Sequence, residues 1–208
     1  DHSYSMIGTG RDNSINNNSY YYNSIWNGKM CSSSSNFKGN YVTIFTGNGL
    51  NRQCFGDYSL IAGGNQVIIG DAPRSSILAG SCNKIYGNGI SVGMGMGGGN
   101  SIVAGSCNSI QIGSDYSSIF GGFQNIIESN NRFSSIVAGY NNVIVVVGYS
   151  WIGAGDFNVI NGSHSTIICG TSNYNSQNYS IIGTGQSNYI AKSPNSDQSS
   201  SAIVAGVQ

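Results

Sequence analysis

Tyr116-Ser117-Ser118-Ile119-Phe120-Gly121-Gly122-Phe123-Gln124-Asn125-Ile126-Ile127 is followed, 17 residues on, by Phe133-Ser134-Ser135-Ile136-Val137-Ala138-Gly139-Tyr140-Asn141-Asn142-Val143-Ile144. The two lines agree in kind: aromatic, Ser, Ser, Ile, apolar, small, Gly, and later Asn with a β-branched pair. The same unit, anchored on its glycine, recurs at residues 7–10, 77–80, 102–105, 152–155, 167–170, 182–185 and 203–206, with weaker copies at 25–28, 44–47 and 60–63. Three residues after the glycine stands an asparagine, as at Asn13, Asn83, Asn108, Asn158, Asn173 and Asn188. Two further on stands an isoleucine, as at Ile15, Ile68, Ile85, Ile110, Ile160 and Ile190. Anchor glycines are mostly 15–19 residues apart. That spacing is too short for a helical-hairpin repeat and right for one coil of β-structure.

Within a unit, alternation and β-branched residues mark a strand. With Ile77 pointing inward, Leu78 points outward and Ala79 inward. Gly80 permits a sharp corner, and the asparagine after it tolerates the left-handed backbone of a turn. Stacked copies of that asparagine form a ladder of amides, each bonding the next. The expected fold is all-β: a single β-solenoid of about twelve coils, roughly 55–60 Å long at about 4.8 Å per coil, with little or no helix. One domain spans 1–208, with degenerate coils and an Asn/Ser-rich insertion over 1–40 and regular coils over 41–208. Ile77, Ile102, Ile119, Ile136, Ile152 and Ile182 are expected in one buried column, and Ile85, Ile110, Ile127, Ile144 and Ile160 in another.

Composition narrows the function. Charged residues make up 8% of the chain, one glutamate (Glu128) is present, and the net charge is zero. Nucleic-acid binding needs a basic stripe, which this chain lacks. No apolar run reaches the roughly 18–20 residues of a membrane span. No signal peptide is read. The sequons at Asn17, Asn161 and Asn178 arise readily in a chain so rich in Asn and Ser. Asp12, Asp57, Asp71, Asp115, Asp156 and Asp197 are dispersed over turn positions rather than clustered as carboxylate catalysis requires. No catalytic, metal or cofactor site is expected. The glycine-rich run at residues 93–99 lacks the following Lys-Ser/Thr of a phosphate loop.

Two further ladders run along the repeat. One contains Tyr4, Tyr22, Tyr41, Tyr116, Phe133, Tyr149, His164 and Tyr179. The next residue gives Ser5, Ser75, Ser117, Ser134, Ser150, Ser165, Ser180 and Ser201. The aromatic line reads as a stack that staples adjacent coils, or as a carbohydrate-binding strip. The serine line, if exposed, offers the regular hydroxyls of an ice-binding face.

The form of residues 116–127 resembles the repeats of trimeric fibre proteins: the left-handed β-roll heads of trimeric autotransporter adhesins and the Gly-Gly-X-X-Asn repeats of phage-type tail fibres. The likeness covers most of the chain from Tyr41 onward. It implies a β-solenoid, trimerisation and an adhesive or shaft role at a cell or virion surface. The repeat here is longer than the adhesin-head repeat, and no coiled-coil stalk is read in the chain.

The outward positions of the first strand point the same way independently. Ile61, Leu78, Val103, Phe120, Val137, Ile168 and Val204 are apolar, with Gly153 and Gly183 as exceptions, where a solvated face carries Ser, Thr or charge. Such a stripe marks an association site. The expected partner is the chain itself, as a homo-oligomer such as a trimer or a head-to-tail filament, with a glycan or cell-surface ligand as a further partner. The head-to-tail junction is placed at Tyr4, Ser5, Met6 and Ile7 against Ala202, Ile203, Val204 and Ala205, because neither end of the array shows a cap. The expected function is a structural extracellular fibre or filament subunit. The alternative is a binding module, for ice or carbohydrate, on the Ser or Tyr ladder. Of Cys31, Cys54, Cys82, Cys107 and Cys169, the equivalent pair Cys82 and Cys107 is expected to be separated by an extra short coil at residues 90–93, which leaves the thiols free and buried.

Overall fold

The computed structural model of the chain describes residues 58–70, 72–87, 99–145, 148–192 and 200–207. N-terminal to these it describes chiefly the backbone of residues 5–8, 10–11, 23–25, 28–29, 42–44 and 53–54. Among the described residues every regular element is a strand. A twelve-stranded parallel sheet runs in chain order through Ser5–Ile7, Asn23–Ile25, Val42–Ile44, Leu60–Ile61, Ser76–Ile77, Ser101–Ile102, Ser118–Ile119, Ser135–Ile136, Trp151–Ile152, Thr166–Ile167, Ile181–Gln186 and Ala202–Val207. A second parallel sheet of nine strands runs from Gln53–Cys54 to Tyr189–Ile190. Each strand pairs with its equivalent one coil away, so the chain winds as a β-solenoid. Single-residue bridges along Asn65, Ser81, Ser106, Phe123, Tyr140, Asp156, Thr171 and Gln186 form a third line. The regular body makes about seven turns, against the twelve coils expected, although the first sheet holds twelve strands. At about 4.8 Å per turn that body is about 34 Å long.

The two isoleucine columns form the core. Ile77, Ile102, Ile119, Ile136, Ile152, Ile167 and Ile182 are fully buried, as are Ile85, Ile110, Ile127, Ile144 and Ile160 opposite them. Each contributes about 1.5–3 kcal/mol by leaving water. The coil around residue 60 is shifted by one from the sequence reading. Ile61 pairs with Ile77, and Ile69 rather than Ile68 pairs with Ile85. Gly64, with φ of 105°, is the corner glycine there rather than Gly63. Ala79 is exposed rather than inward, because the strand ends at Ile77 and the chain is already turning.

Two corners per coil share one construction. A residue with positive φ is followed by a buried polar residue and then by a strand. At one corner stand Gln124, Asn141, Phe157, Ser172 and Ser187, each followed by a buried asparagine. At the other stand Tyr116, Phe133, Tyr149, His164 and Tyr179, each followed by a buried serine. A left-handed non-glycine residue costs about 1–2 kcal/mol. The ladders behind the corners offset that cost. The Asn142 Nδ2 donates to Asn125 Oδ1 at 3.1 Å, to the Ala138 carbonyl at 3.3 Å and to the Gly155 carbonyl at 2.6 Å. Its Oδ1 accepts from the Asn158 backbone N–H and from Asn158 Nδ2, both at 3.0 Å. One side chain thus ties three successive coils. The serine ladder is built alike: the Ser150 N–H donates to Ser134 Oγ at 3.3 Å, and the Ser150 Oγ donates to the Gly162 carbonyl at 3.0 Å. At Gly139 (φ 111°) a Cβ would run into the Gly155 carbonyl oxygen, so coils approach there only without a side chain.

One core position breaks the pattern. Asn175 lies fully buried between Ile160 and Ile190 in the second column. Its Nδ2 donates to the Ser180 carbonyl at 3.2 Å, and among the described residues no group donates to its Oδ1. A buried polar atom without a partner costs about 1–3 kcal/mol. Asn175→Ile is expected to restore the column and raise the melting midpoint by a few degrees, about 1 kcal/mol net after loss of the Ser180 bond. Thermal unfolding followed by circular dichroism checks this, and a lower midpoint would contradict it.

Candidate association face

The outward face of the first sheet carries two columns of residues, one on each side of the buried isoleucines. The first is Leu60, Ser76, Ser101, Ser118, Ser135, Trp151, Thr166, Ile181 and Ala202, held in register by strand pairing. The second lies two residues further along: Ala62, Leu78, Val103, Phe120, Val137, Gly153, Ile168, Gly183 and Val204. Ladder hydrogen bonds continue into this second column, as from the Phe120 N–H to the Ile136 carbonyl at 3.0 Å and from the Val137 N–H to the Ile152 carbonyl at 3.0 Å.

Of the outward residues expected from the sequence, Phe120 is 49% exposed, Leu78 39%, Val137 38%, Ile168 43% and Val204 81%. Val103 is half-buried. Ile61 does not belong with them. It is a core residue with no exposure, and the one-residue shift of its coil puts Leu60 and Ala62 on the outward face.

The two glycine exceptions are explained by the neighbouring column. Where the second column has Gly153, the first replaces serine with Trp151. Where it has Gly183, the first has Ile181, and where it has Ala62, the first has Leu60. Trp151 lies over its glycine: a Cβ on Gly153 would stand 2.8 Å from Trp151 Cη2. Each coil therefore presents one large apolar side chain and one small residue, in either order. The sequence extends the rule to Met6/Gly8, Ser24/Trp26 and Thr43/Phe45, at positions that strand pairing aligns through Met6, Ser24 and Thr43. Trp26 and Phe45 lie outside the described residues. Neither column contains a charged residue. Reading the second column alone hides this exchange. Reading residue pairs two apart reveals it.

The aromatic ladder is a staple. Ring centroids are 5.1 Å apart for Tyr116–Phe133, 5.0 Å for Phe133–Tyr149 and 4.8 Å for both Tyr149–His164 and His164–Tyr179, all stacked. The ring faces are occupied by one another, and the edges meet solvent. A carbohydrate strip needs open faces. Tyr58, which the shifted reading missed, stands at the same corner with φ of 55°. A second aromatic line, Phe123–Tyr140–Phe157, was not legible as a ladder because its last member sits one residue later in the unit. The serines at positions 75, 117, 134, 150, 165 and 180 are buried, with their hydroxyls turned into the coil, so they form no surface array for ice. Ser201 is exposed, and the side chain of Ser5 lies outside the described residues.

The expected junction residues sit at opposite edges of the first sheet. Ser5, Met6 and Ile7 form one edge strand and Ala202, Ile203, Val204 and Ala205 belong to the other. Tyr4 lies outside the described residues. Asp115 pairs with Arg132, Oδ2 to Nε at 3.3 Å. Among the described residues no three His, Cys, Asp or Glu side chains gather as a metal site would require, and no helix is long and apolar enough to cross a membrane. Asn161 and Asn178 are half-buried, and Asn17 lies outside the described residues. Cys82 and Cys107 are not separated by an extra coil: Ser76 pairs directly with Ser101, and Lys84 with Ser109. They are half-exposed rather than buried. No family model, no curated protein and no solved structure matches the chain.

Proposed function

We propose that this chain is a structural rod of an extracellular or surface fibre, and that it associates side by side with further copies through the two-column face of its first sheet. The observation that supports this reading is the exchange of large and small residues between the columns. A surface under no packing constraint has no reason to hold one large apolar side chain per coil while varying which column supplies it. A surface that meets another rod does, because the exchange keeps the apolar layer continuous. Each large side chain leaves roughly 60–100 Å² outside, so the face offers about 600 Å² per copy and about 1,200 Å² for a pair, the lower edge of stable specific interfaces. Absence of charge on the face removes the desolvation cost of burying ions. Parallel pairing of a second copy onto either edge strand, Ser5–Ile7 or Ala202–Val207, extends the rod in the register that joins Ile182 to Ile203.

The test is the triple variant Phe120→Ser, Trp151→Ser, Ile168→Ser, which removes three of the large side chains and leaves the core intact. Each loss at an interface centre is worth about 1–2 kcal/mol, so self-association is expected to weaken by at least about 100-fold with the circular dichroism spectrum unchanged. Unaltered association of a folded triple variant would remove the face from the account.

A further inference from the structure

Cys82 and Cys107 occupy the same corner of successive coils. Ser81 and Ser106, immediately before them, form a parallel bridge, and the Cys107 N–H donates to the Ser81 carbonyl at 2.8 Å. The two backbones match, with φ of 54° and 56°, so both side chains leave the coil in the same direction. One coil of rise sets the Cα atoms about 4.8 Å apart, inside the 4.4–6.8 Å range of disulfides. A Cβ separation of similar size is a few tenths of an ångström above the usual range, so closure asks the two corners to lean slightly together. Both thiols are half-exposed, which gives a small oxidant access. Each sulfur also lies beside the hydroxyl of its preceding serine, at 3.5 Å for Ser81 and 3.7 Å for Ser106. The Cys82 thiol donates to Gln66 Oε1 at 3.2 Å, on the coil to the other side. Cys169 falls elsewhere in its coil, near the Thr184 hydroxyl at 3.3 Å, and has no cysteine at the equivalent position one coil away.

We propose that Cys82 and Cys107 are a modification site that closes to a disulfide across adjacent coils, with a low-molecular-weight disulfide as oxidant. The Cys82 thiolate attacks the small disulfide RS–SR and releases one RS⁻, leaving a mixed disulfide on Cys82. The Cys107 thiolate then attacks the Cys82 sulfur and releases the second RS⁻. Two protein thiols lose two protons and two electrons, and RS–SR is reduced to two RSH. The bond closes a loop over residues 83–106, a repeat that is longer in sequence than its neighbours, and so restricts the unfolded chain where the spacing is least regular.

The experiment treats the full chain with oxidised glutathione, blocks remaining thiols with N-ethylmaleimide, and maps peptides by mass spectrometry beside a dithiothreitol-treated sample. The expected result is a peptide pair linked through Cys82 and Cys107 at a mass two hydrogens below the sum, with Cys169 alkylated. The melting midpoint should rise by about 5–10 °C on oxidation, and Cys82→Ser and Cys107→Ser should each abolish both the link and the rise. Separate glutathione adducts on the two cysteines, a link to a different cysteine or to a second chain, or no reaction would each overturn the proposal.

Discussion

Replacing Ile136 by aspartate is expected to abolish cooperative folding of the regular coils. Ile136 is fully buried between Ile119 and Ile152 in the first column, and the core residue on the opposite strand of its coil is the fully buried Ile144. A carboxylate there is either charged without a partner or protonated at the expense of its normal ionisation, and the loss of packing comes in addition. The cost is about 4–5 kcal/mol or more, at the upper end of single substitutions and comparable to the stability of many whole domains. Far-ultraviolet circular dichroism with heating reads the effect. A variant that melts within a degree or two of the parent would contradict the placement of that column.

Asn142→Asp is expected to cost nearly as much without changing the size of the side chain. The amide nitrogen of Asn142 faces three oxygens, those of Asn125, Ala138 and Gly155. An oxygen in its place sets a buried charge against three acceptors, so the attraction of two N–H groups shared among them becomes repulsion. The expected loss is about 3–5 kcal/mol. Because the ladder runs from Asn83 to Asn188, the damage falls on the coils above and below as well. Hydrogen exchange reads this: the Asn158 N–H, which keeps its acceptor at Asn142 Oδ1, should be the least affected, while the amides around Gly155 and Ala138, whose carbonyls lose a donor, should exchange faster. Equal stability of the isosteric variant would mean that the amide ladder carries no net energy.

Most of the fold is legible in the sequence because the repeat states each structural requirement in a different residue type. Isoleucine marks the core, asparagine and serine mark the inner ladders, and glycine marks the close approach of coils. The misreadings have separate physical causes. Gly63 and Gly64 are adjacent, and anchoring on the first moved Leu60, Ile61 and Ile68 by one position. The dipeptide Tyr58-Ser59, which matches Tyr116-Ser117, fixes the register correctly. The Ile-Ser-Val-Gly of residues 90–93 imitates a unit, yet Cys82 and Cys107 lie on successive coils. Left-handed backbone at Tyr116, Phe133 and Tyr149 was not legible, since bulky aromatics disfavour it and only the stacked neighbours and buried serines compensate. The face was legible in part. Apolar character showed in the single column that contains Phe120, whereas the exchange between Trp151 and Gly153 needs the register of two columns at once.

Sedimentation velocity of the intact chain across a micromolar concentration series tests side-by-side association most directly. The mass of one chain is 21.8 kDa. The account predicts species at multiples of that mass whose fraction rises with concentration, together with loss of acrylamide access to Trp151 as they form. A single 21.8 kDa species at every concentration, with Trp151 equally accessible throughout, would contradict it.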